Sequence, residues 1–240
     1  EYGEGRMSEP SEIIKYTMDF MEKINFSPLK NYSALVTSGP TREMIDPVRY
    51  ISNESSGKQG HAIAKEIFEL GAKTTLISGP TSIPDPVGPT IVKVNSANEM
   101  SDACESLLPA DIAVCAAAVG DYKISNASPK KIKKSGSKIT IELEENPDIL
   151  SRISKRNNKR PKLVIGFAAE TENLISNAEL KLKEKGCDWI LANDISNGEV
   201  IGHDDNKIHF ISLDEKSEWN TMSKNDVAKK LSNKIVDHFA

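Results

Sequence analysis

The stretch from Ser33 to Gly60, SALVTSGPTREMIDPVRYISNESSGKQG, is compatible with few folds. An apolar β-type run (Ala34, Leu35, Val36) breaks at Ser38-Gly39-Pro40. Arg42, Arg49 and Lys58 follow among turn formers, and Gly57 and Gly60 lead into a helical pattern. A strand that opens into a loop of glycines and cations at a helix start is physically a phosphate cradle. Backbone N–H groups and the positive helix end face the anion, and Arg side chains clamp it.

The rest of the chain alternates. Strands are predicted at Ser33–Thr37, Lys73–Ile77, Ile91–Val94, Asp111–Ala118, Lys138–Leu143, Leu163–Ala168, Trp189–Ala192 and Ile208–Ser212. Between them lie helical patterns at Lys58–Leu70 (Ile63, Ala64, Ile67 and Phe68 on one face), Ala97–Leu107, from Pro147, Leu174–Lys185 and Lys224–Phe239. Asp111–Ala118 is almost uninterruptedly apolar, as a strand buried on both faces would be. This alternation predicts an α/β fold with a doubly wound, mostly parallel sheet. Ligands then bind outside the carboxyl ends of the strands, which selects the loops after Val36, Ala118, Phe167 and Ala192. Upstream, a helical pattern from Pro10 (Ile13, Ile14, Met18, Met21) is followed by the polar NFSPLKNY, which reads as a linker with a domain boundary near Asn31.

A net charge of -4 argues against a general nucleic-acid or membrane-surface binder. The three widely spaced cysteines form neither a metal pattern nor a disulfide framework, which predicts a reducing cytoplasm. No run is long and apolar enough for a membrane span. The first residue, Glu1, reads as a fragment or processed start.

Common nucleotide motifs fail. Pro40 stands where a dinucleotide fingerprint wants its second glycine, and the second strand ends in Ser78-Gly79 with no carboxylate for a ribose. Ser56-Gly57-Lys58 lacks the preceding glycine of a P-loop. The strand-end loops carry amides and cations, with no Ser-His-Asp set, no Cys nucleophile context and no metal-ligand cluster. Such a set suits a nucleophile that needs no deprotonation, such as a carboxylate attacking a nucleotide α-phosphate with Mg²⁺, Arg and Lys neutralising charge.

The motifs SGPTREMIDPVRYISNESSGKQG, CAAAVGDYK, PKKIKK, NPDIL, GFAAET and AND, in that order, closely resemble the phosphopantothenoylcysteine synthetase domain of bacterial coenzyme A biosynthesis. The resemblance runs from about Tyr32 to the C-terminus and implies a Rossmann-like fold with a small added β dimerisation element. In many bacteria that domain follows an FMN-dependent phosphopantothenoylcysteine decarboxylase, and GEGRMSEP looks like the decarboxylase tail. Residues 1–31 then read as tail and linker, and residues 32–240 as the synthetase domain. The resemblance implies a cytoplasmic ligase, homodimeric, that joins 4′-phosphopantothenate to cysteine. CTP is consumed through an acyl-cytidylate with Mg²⁺ as cofactor, without nucleic acid or membrane.

By that resemblance Asn53 contacts the acyl-cytidylate with Arg49 beside it, and Lys131 acts in condensation with cysteine. Gly39, Cys115, Ala116, Ala117 and Asp121 lie along the nucleotide. Pro147, Asp148, Ile149, Leu150 and Phe167 line its pocket, and Lys181 and Lys185 reach it. No side chain is assigned to a metal. The sequence departs from its relatives at Glu54 (often His), Gly120 (often Ala) and Lys130 (usually Glu), and the last leaves Lys130 and Lys131 hard to tell apart. Taken singly, Asn53 reads as a turn former and Asp148 as a first-turn helix acid. Lys130–Lys138 reads as a solvated loop, or as a basic flap closing on the triphosphate, and the four histidines fit no site. Eukaryotic relatives favour ATP, which keeps the same reaction with ATP open. A silent nucleotide-binding module and a nucleic-acid binder using the lysine loop are the readings of other classes.

Overall fold

Strand and helix alternate through the molecule as the pattern requires, in a computed structural model that describes residues 8–25, 27–134, 136, 138–170, 172–194 and 205–240. The chain opens with α1 (Pro10–Asn25), β1 (Ser33–Ser38), the hairpin β2 (Arg42–Asp46) and β3 (Arg49–Ser52), and α2 (Lys58–Glu69). It continues through β4 (Lys73–Ser78), β5 (Thr90–Lys93), α3 (Ala97–Ser106), β6 (Ile112–Cys115), β7 (Tyr122–Ile124) and β8 (Leu143–Glu145). Then come α4 (Ile149–Ser154), β9 (Leu163–Glu170), α5 (Leu174–Lys185) and β10 (Trp189–Asp194). The last elements are β11 (Asp205–Asn206), β12 (Ile208–Ile211), β13 (Lys216–Glu218), β14 (Met222–Ser223) and α6 (Lys224–Phe239).

Eight strands form one sheet in the order β13-β12-β10-β9-β6-β1-β4-β5, and only β12 and β13 run antiparallel to their neighbours. The central strands carry residues without solvent exposure on both faces, Val36, Leu76, Val114 and Ile165 on one and Ile77, Ala113 and Val164 on the other. On one face α2 and α6 bury Ile63, Ile67, Leu231 and Ile235 with Phe210 and Trp219. On the other, Met100 and Cys104 of α3, Ile153 of α4 and Leu182 of α5 pack over Leu35, Ala113 and Val164. Ser96 caps α3 through Glu99 N (3.2 Å), and Ser223 caps α6 through Asp226 N (3.1 Å).

Several expectations need correction. Phe68 does not join the inner face of α2. It is 39% exposed and lies over Gly88, whose loop a Cβ would drive into its ring. The strand read over Asp111–Ala118 ends at Cys115, because the next amides leave the ladder for the β1 side. Ala117 N donates to Thr37 Oγ1 (3.2 Å) and Ala118 N to Gly39 O (2.9 Å). Lys138–Leu143 is not a strand. Only Leu143–Glu145 pairs, with Tyr122–Ile124, since Ile139, Ile141 and Leu143 alternate toward no core and remain exposed. The β2–β3 hairpin went unread because its second strand buries nothing.

Leu29, within the stretch read as linker, is fully buried in the α2–α6 core, and its N–H donates to Leu70 O (3.0 Å). Leu29→Ala is therefore expected to cost about 2–4 kcal/mol in urea unfolding. A loss below about 1 kcal/mol, the size of an ordinary surface effect, would restore the linker reading. In α1, Ile13, Ile14, Tyr16 and Met18 are exposed. Among the described residues no helix is long and apolar enough to cross a membrane.

Candidate active site

From β1 the chain winds to β4 and β5 on one side, and from β6 to β9 and β10 on the other. A crevice opens where the order reverses, outside the carboxyl ends of β1 and β6. Here it is a cleft of about 660 Å³ that receives Thr37, Cys115, Ala169 and Asn193 from the carboxyl ends of four adjacent strands, with Phe167 a step back in β9.

Its first wall is the α2 entrance. Gly57 takes the N-cap with φ +76° and no side-chain cap, beside Gly39, also at φ +76°. Neither conformation suits an L side chain, and a Cβ on either would meet the Thr81 methyl at 2.7 Å. Ser38 Oγ donates to Gly57 O (2.8 Å), and buried His61 Nδ1 lies 2.9 Å from that hydroxyl and 3.0 Å from the same carbonyl. Burial holds the His61 pKa below its usual value, against the Gly57 carbonyl, so a neutral ring braces the turn. The N-terminal amides of α2 thus open on the cleft in a fixed frame, with Ser55, Ser56, Lys58 and Lys224 around them.

The second wall is α4 and α5. Asp148 caps α4 through Ser151 N (2.9 Å) and binds Lys185 Nζ (2.5 Å). Partial burial would raise the Asp148 pKa, but Lys185 and the Ser151 amide outweigh it, and Asp148 in turn raises Lys185; the pair is ionised at neutral pH. Ile149 and Leu150 turn inward beside Phe167, giving an apolar slot next to cations.

Between the walls runs the loop after β6. Gly120 N donates to Thr41 Oγ1 (3.0 Å), Asn146 Nδ2 to Gly120 O (2.8 Å), and Asn53 Nδ2 to Val119 O (2.9 Å). Burial pushes the Cys115 thiol well above its usual pKa, so it presents backbone and apolar surface, not a nucleophile.

Twelve of the residues predicted from sequence meet in this cleft: Asn53, Cys115, Ala116, Ala117, Asp121, Pro147 through Leu150, Phe167, Lys181 and Lys185. Three do not line it. Gly39 lies behind Gly57, Arg49 pairs with Asp46, and Lys131 sits on an exposed loop bound to the β2–β3 hairpin. Thr171 of the FAAET motif falls outside the described residues.

Sequence reasoning gave no role to Asn146, Asn193 or Asn206, which also line the cleft. Their amide oxygens are buried and find no partner among the described residues. An open buried acceptor is costly, and ligand donors would complete these three. The available signal was an Asn directly at, or beside, a strand end. Charges in the lining cancel, with Lys58, Lys181, Lys185 and Lys224 set against Glu54, Asp121, Glu145 and Asp148. Among the described residues no three His, Cys, Asp or Glu side chains converge as a metal cage.

A doubly wound domain whose cleft has the entrance of α2 on one side and an apolar, lysine-flanked slot opposite defines a Rossmann-like α/β protein. Residues 29–239 match the DNA/pantothenate metabolism flavoprotein C-terminal domain, and the chain belongs to that family. It is 42% identical over 240 residues to the coenzyme A biosynthesis bifunctional protein CoaBC of Haemophilus influenzae, covering 100% of this chain and 59% of that protein. The CoaBC of Bacillus subtilis is 38% identical over 238 residues, with coverages of 98% and 58%. The chain thus spans less than two thirds of these relatives. The crystal structure of a CoaBC C-terminal domain superposes with a TM-score of 0.75 at 36% identity, covering 89% of this chain and 98% of the other.

Proposed function

We propose that this domain is a ligase that joins 4′-phosphopantothenate to cysteine at the expense of CTP. The observation that carries the reading is the convergence of Asn53, Ala116, Ala117, Asp121, Pro147–Leu150, Phe167, Lys181 and Lys185 in one cleft. These are the residues that the family resemblance assigns to acyl-cytidylate and nucleotide. The family match and relatives named for coenzyme A biosynthesis support it.

In the first step a carboxylate oxygen of phosphopantothenate attacks the α-phosphorus of CTP. The bond to pyrophosphate breaks, giving an acyl-cytidylate. In the second, the cysteine amine attacks the acyl carbon, CMP leaves with the C–O electron pair, and the amine proton is released. The neutral cleft cannot by itself offset a triphosphate. Mg²⁺ fits this reaction as a partner of the phosphates, whose charge it neutralises without a protein cage. The Asn53 amide donates toward the acyl and phosphoryl oxygens, Lys181 and Lys185 face the nucleotide, and Phe167 with Ile149 and Leu150 takes the base.

Arg49 enters from the β2–β3 hairpin and Lys131 from the lysine loop, a basic flap over the triphosphate. The domain pairs as a homodimer through the exposed apolar residues of the hairpin and of β7–β8, Val48, Tyr50, Ile51, Tyr122 and Leu143. It works in the cytoplasm behind an FMN-dependent decarboxylase domain, with the residues before Leu29 as tail and linker.

Pyrophosphate release from the purified domain with Mg²⁺ and 4′-phosphopantothenate tests this directly, comparing CTP with ATP, each with and without cysteine. Release with CTP, followed by amide formation once cysteine is added, is the expected result. Release with ATP alone would overturn the base preference. CTP binding with no release would leave a binding module in place of a ligase.

A further inference from the structure

The Asp46 side chain has no exposed surface although it lies at the tip of a surface hairpin. Its Oδ1 accepts the N–H groups of Val48 (2.9 Å) and Arg49 (3.0 Å), a side-chain turn around Pro47. One oxygen is enough for that turn. The other, Oδ2, accepts Arg49 Nε (2.9 Å), Arg49 Nη2, and the Ile132 N–H (3.1 Å), which comes from a residue 86 positions along the chain. Arg49 Nη2 also donates to the Ile132 carbonyl (2.7 Å). Ile132 is therefore held at both backbone groups, its N–H by Asp46 and its C=O by Arg49. A second tie, Ser128 N to Ile45 O (2.9 Å), aligns the same loop along β2.

The segment so held is the one that carries Lys130, Lys131, Lys133 and Lys134. These like charges repel one another, and all four lysines are exposed, so the loop has little core of its own to dock it. It follows β7, whose first residue, Tyr122, lines the cleft. A carboxylate needed only for the turn would require neither Arg49 nor Ile132.

We infer that Asp46 is a positioning residue for the ligase reaction: it fixes Arg49 and the lysine loop to each other and to the hairpin, so that the two, which lie outside the cleft lining, approach bound nucleotide in one register. The inference rests on the ligase reading above. Asp46→Asn keeps Oδ1 for the turn but puts an amide donor against the three donors that Oδ2 received. Ile132→Pro removes a single N–H from the loop and leaves the Asp46–Arg49 pair whole, which guards against a misfolded first variant.

Trypsin cleavage after Lys130, Lys133 and Lys134, the bonds that Ile132→Pro leaves cleavable, and pyrophosphate release with CTP and 4′-phosphopantothenate are measured on each variant and on the parent, with thermal midpoints as the control. Cleavage is expected to rise about tenfold, since it follows the population of the released loop. The rate kcat is expected to fall about 10- to 100-fold, with a smaller change in KM for phosphopantothenate and a little-changed midpoint. Unchanged cleavage in both variants would overturn the inference whatever the reaction. Faster cleavage with unchanged turnover would overturn it too, because a loop freed without loss of rate positions nothing. A parent that releases no pyrophosphate would sink the ligase reading and with it the role in turnover, while the cleavage rates would still decide whether Asp46 holds the loop.

Discussion

Asn53→Asp is expected to slow amide formation by about two to three orders of magnitude, the usual cost of removing one donor aimed at a developing oxyanion. One Nδ2 hydrogen of Asn53 is already directed to Val119 O at 2.9 Å, which sets the plane of the amide. The flanking Ser52 Oγ, bound to Thr41 O at 2.7 Å, holds the backbone beside the loop after β6. The second Nδ2 hydrogen is the one the cleft can use. Aspartate has the same shape but sets oxygen against the Val119 carbonyl and adds a negative charge where carboxylate, phosphate and pyrophosphate already crowd. Pyrophosphate release and phosphopantothenoylcysteine formation, followed separately, show which step carries the loss. Asn53 is exposed, so the thermal midpoint should change little. If turnover fell less than about threefold, well short of a lost oxyanion donor, Asn53 would be a turn former and nothing more.

Charge in the cleft explains why so large an effect can sit on one neutral side chain. Lysines and carboxylates in the lining balance, so the site has no general excess of positive charge to stabilise a transition state. Beyond what Mg²⁺ and the basic flap would supply, stabilisation comes from placed dipoles: the α2 amides, the Asn53 amide and the backbone after β6. Dipoles of this kind act only at fixed positions, and the frame of Ser38, His61 and Gly57 is built to fix them.

The elements that sequence could place are those whose burial leaves a period. Helices Leu174–Lys185 and Lys224–Phe239 have the expected bounds, and the predicted strand at Trp189 extends only two residues further. Errors fell where tertiary hydrogen bonds replace burial. Ala116–Ala118 is as apolar as the strand before it, yet Thr37 and Gly39 capture its amides. Ile139, Ile141 and Leu143 have strand alternation with no core among the described residues to face. The cleft was legible because strand ends mark it, and motif order supplied its residues. Asp46 was not, since an acid before a proline looks like any turn, and its second oxygen answers to a residue far along the chain. His61 was also missed, because a lone histidine on a helix gives no sign of the carbonyl it will brace.

Gly60→Ala should be the most damaging single-methyl change in the cradle. A Cβ there would lie 2.5 Å from both Cβ and Oγ of Ser38 and 2.9 Å from the Thr37 carbonyl oxygen. Neither neighbour can yield: Ser38 is fully buried and tied to Gly57 and His61, and the Thr37 oxygen is main chain in β1. The first turn of α2 must lift from the strand, taking Gly57 and the serines before it out of place. Alanine is favoured over glycine in a helix by about 1 kcal/mol, and the clash has to exceed that gain. The expected net loss is about 2–3 kcal/mol, or about 5–10 °C in thermal midpoint for a domain of this size. Because the phosphate-facing amides move with the helix, KM for CTP should rise at least about tenfold, as when a charge-assisted hydrogen bond is lost. Gly120→Ala is the stability control, since its nearest neighbours stand at 3.6 Å, ordinary contact, and its backbone is not left-handed. That change should stay within about 1 kcal/mol of the parent. Equal losses from the two substitutions would mean that close contact at Gly60 is not what seats α2 on the sheet. A loss at Gly60 alone, with weaker CTP use, would tie the stability of the helix entrance to the binding of phosphate.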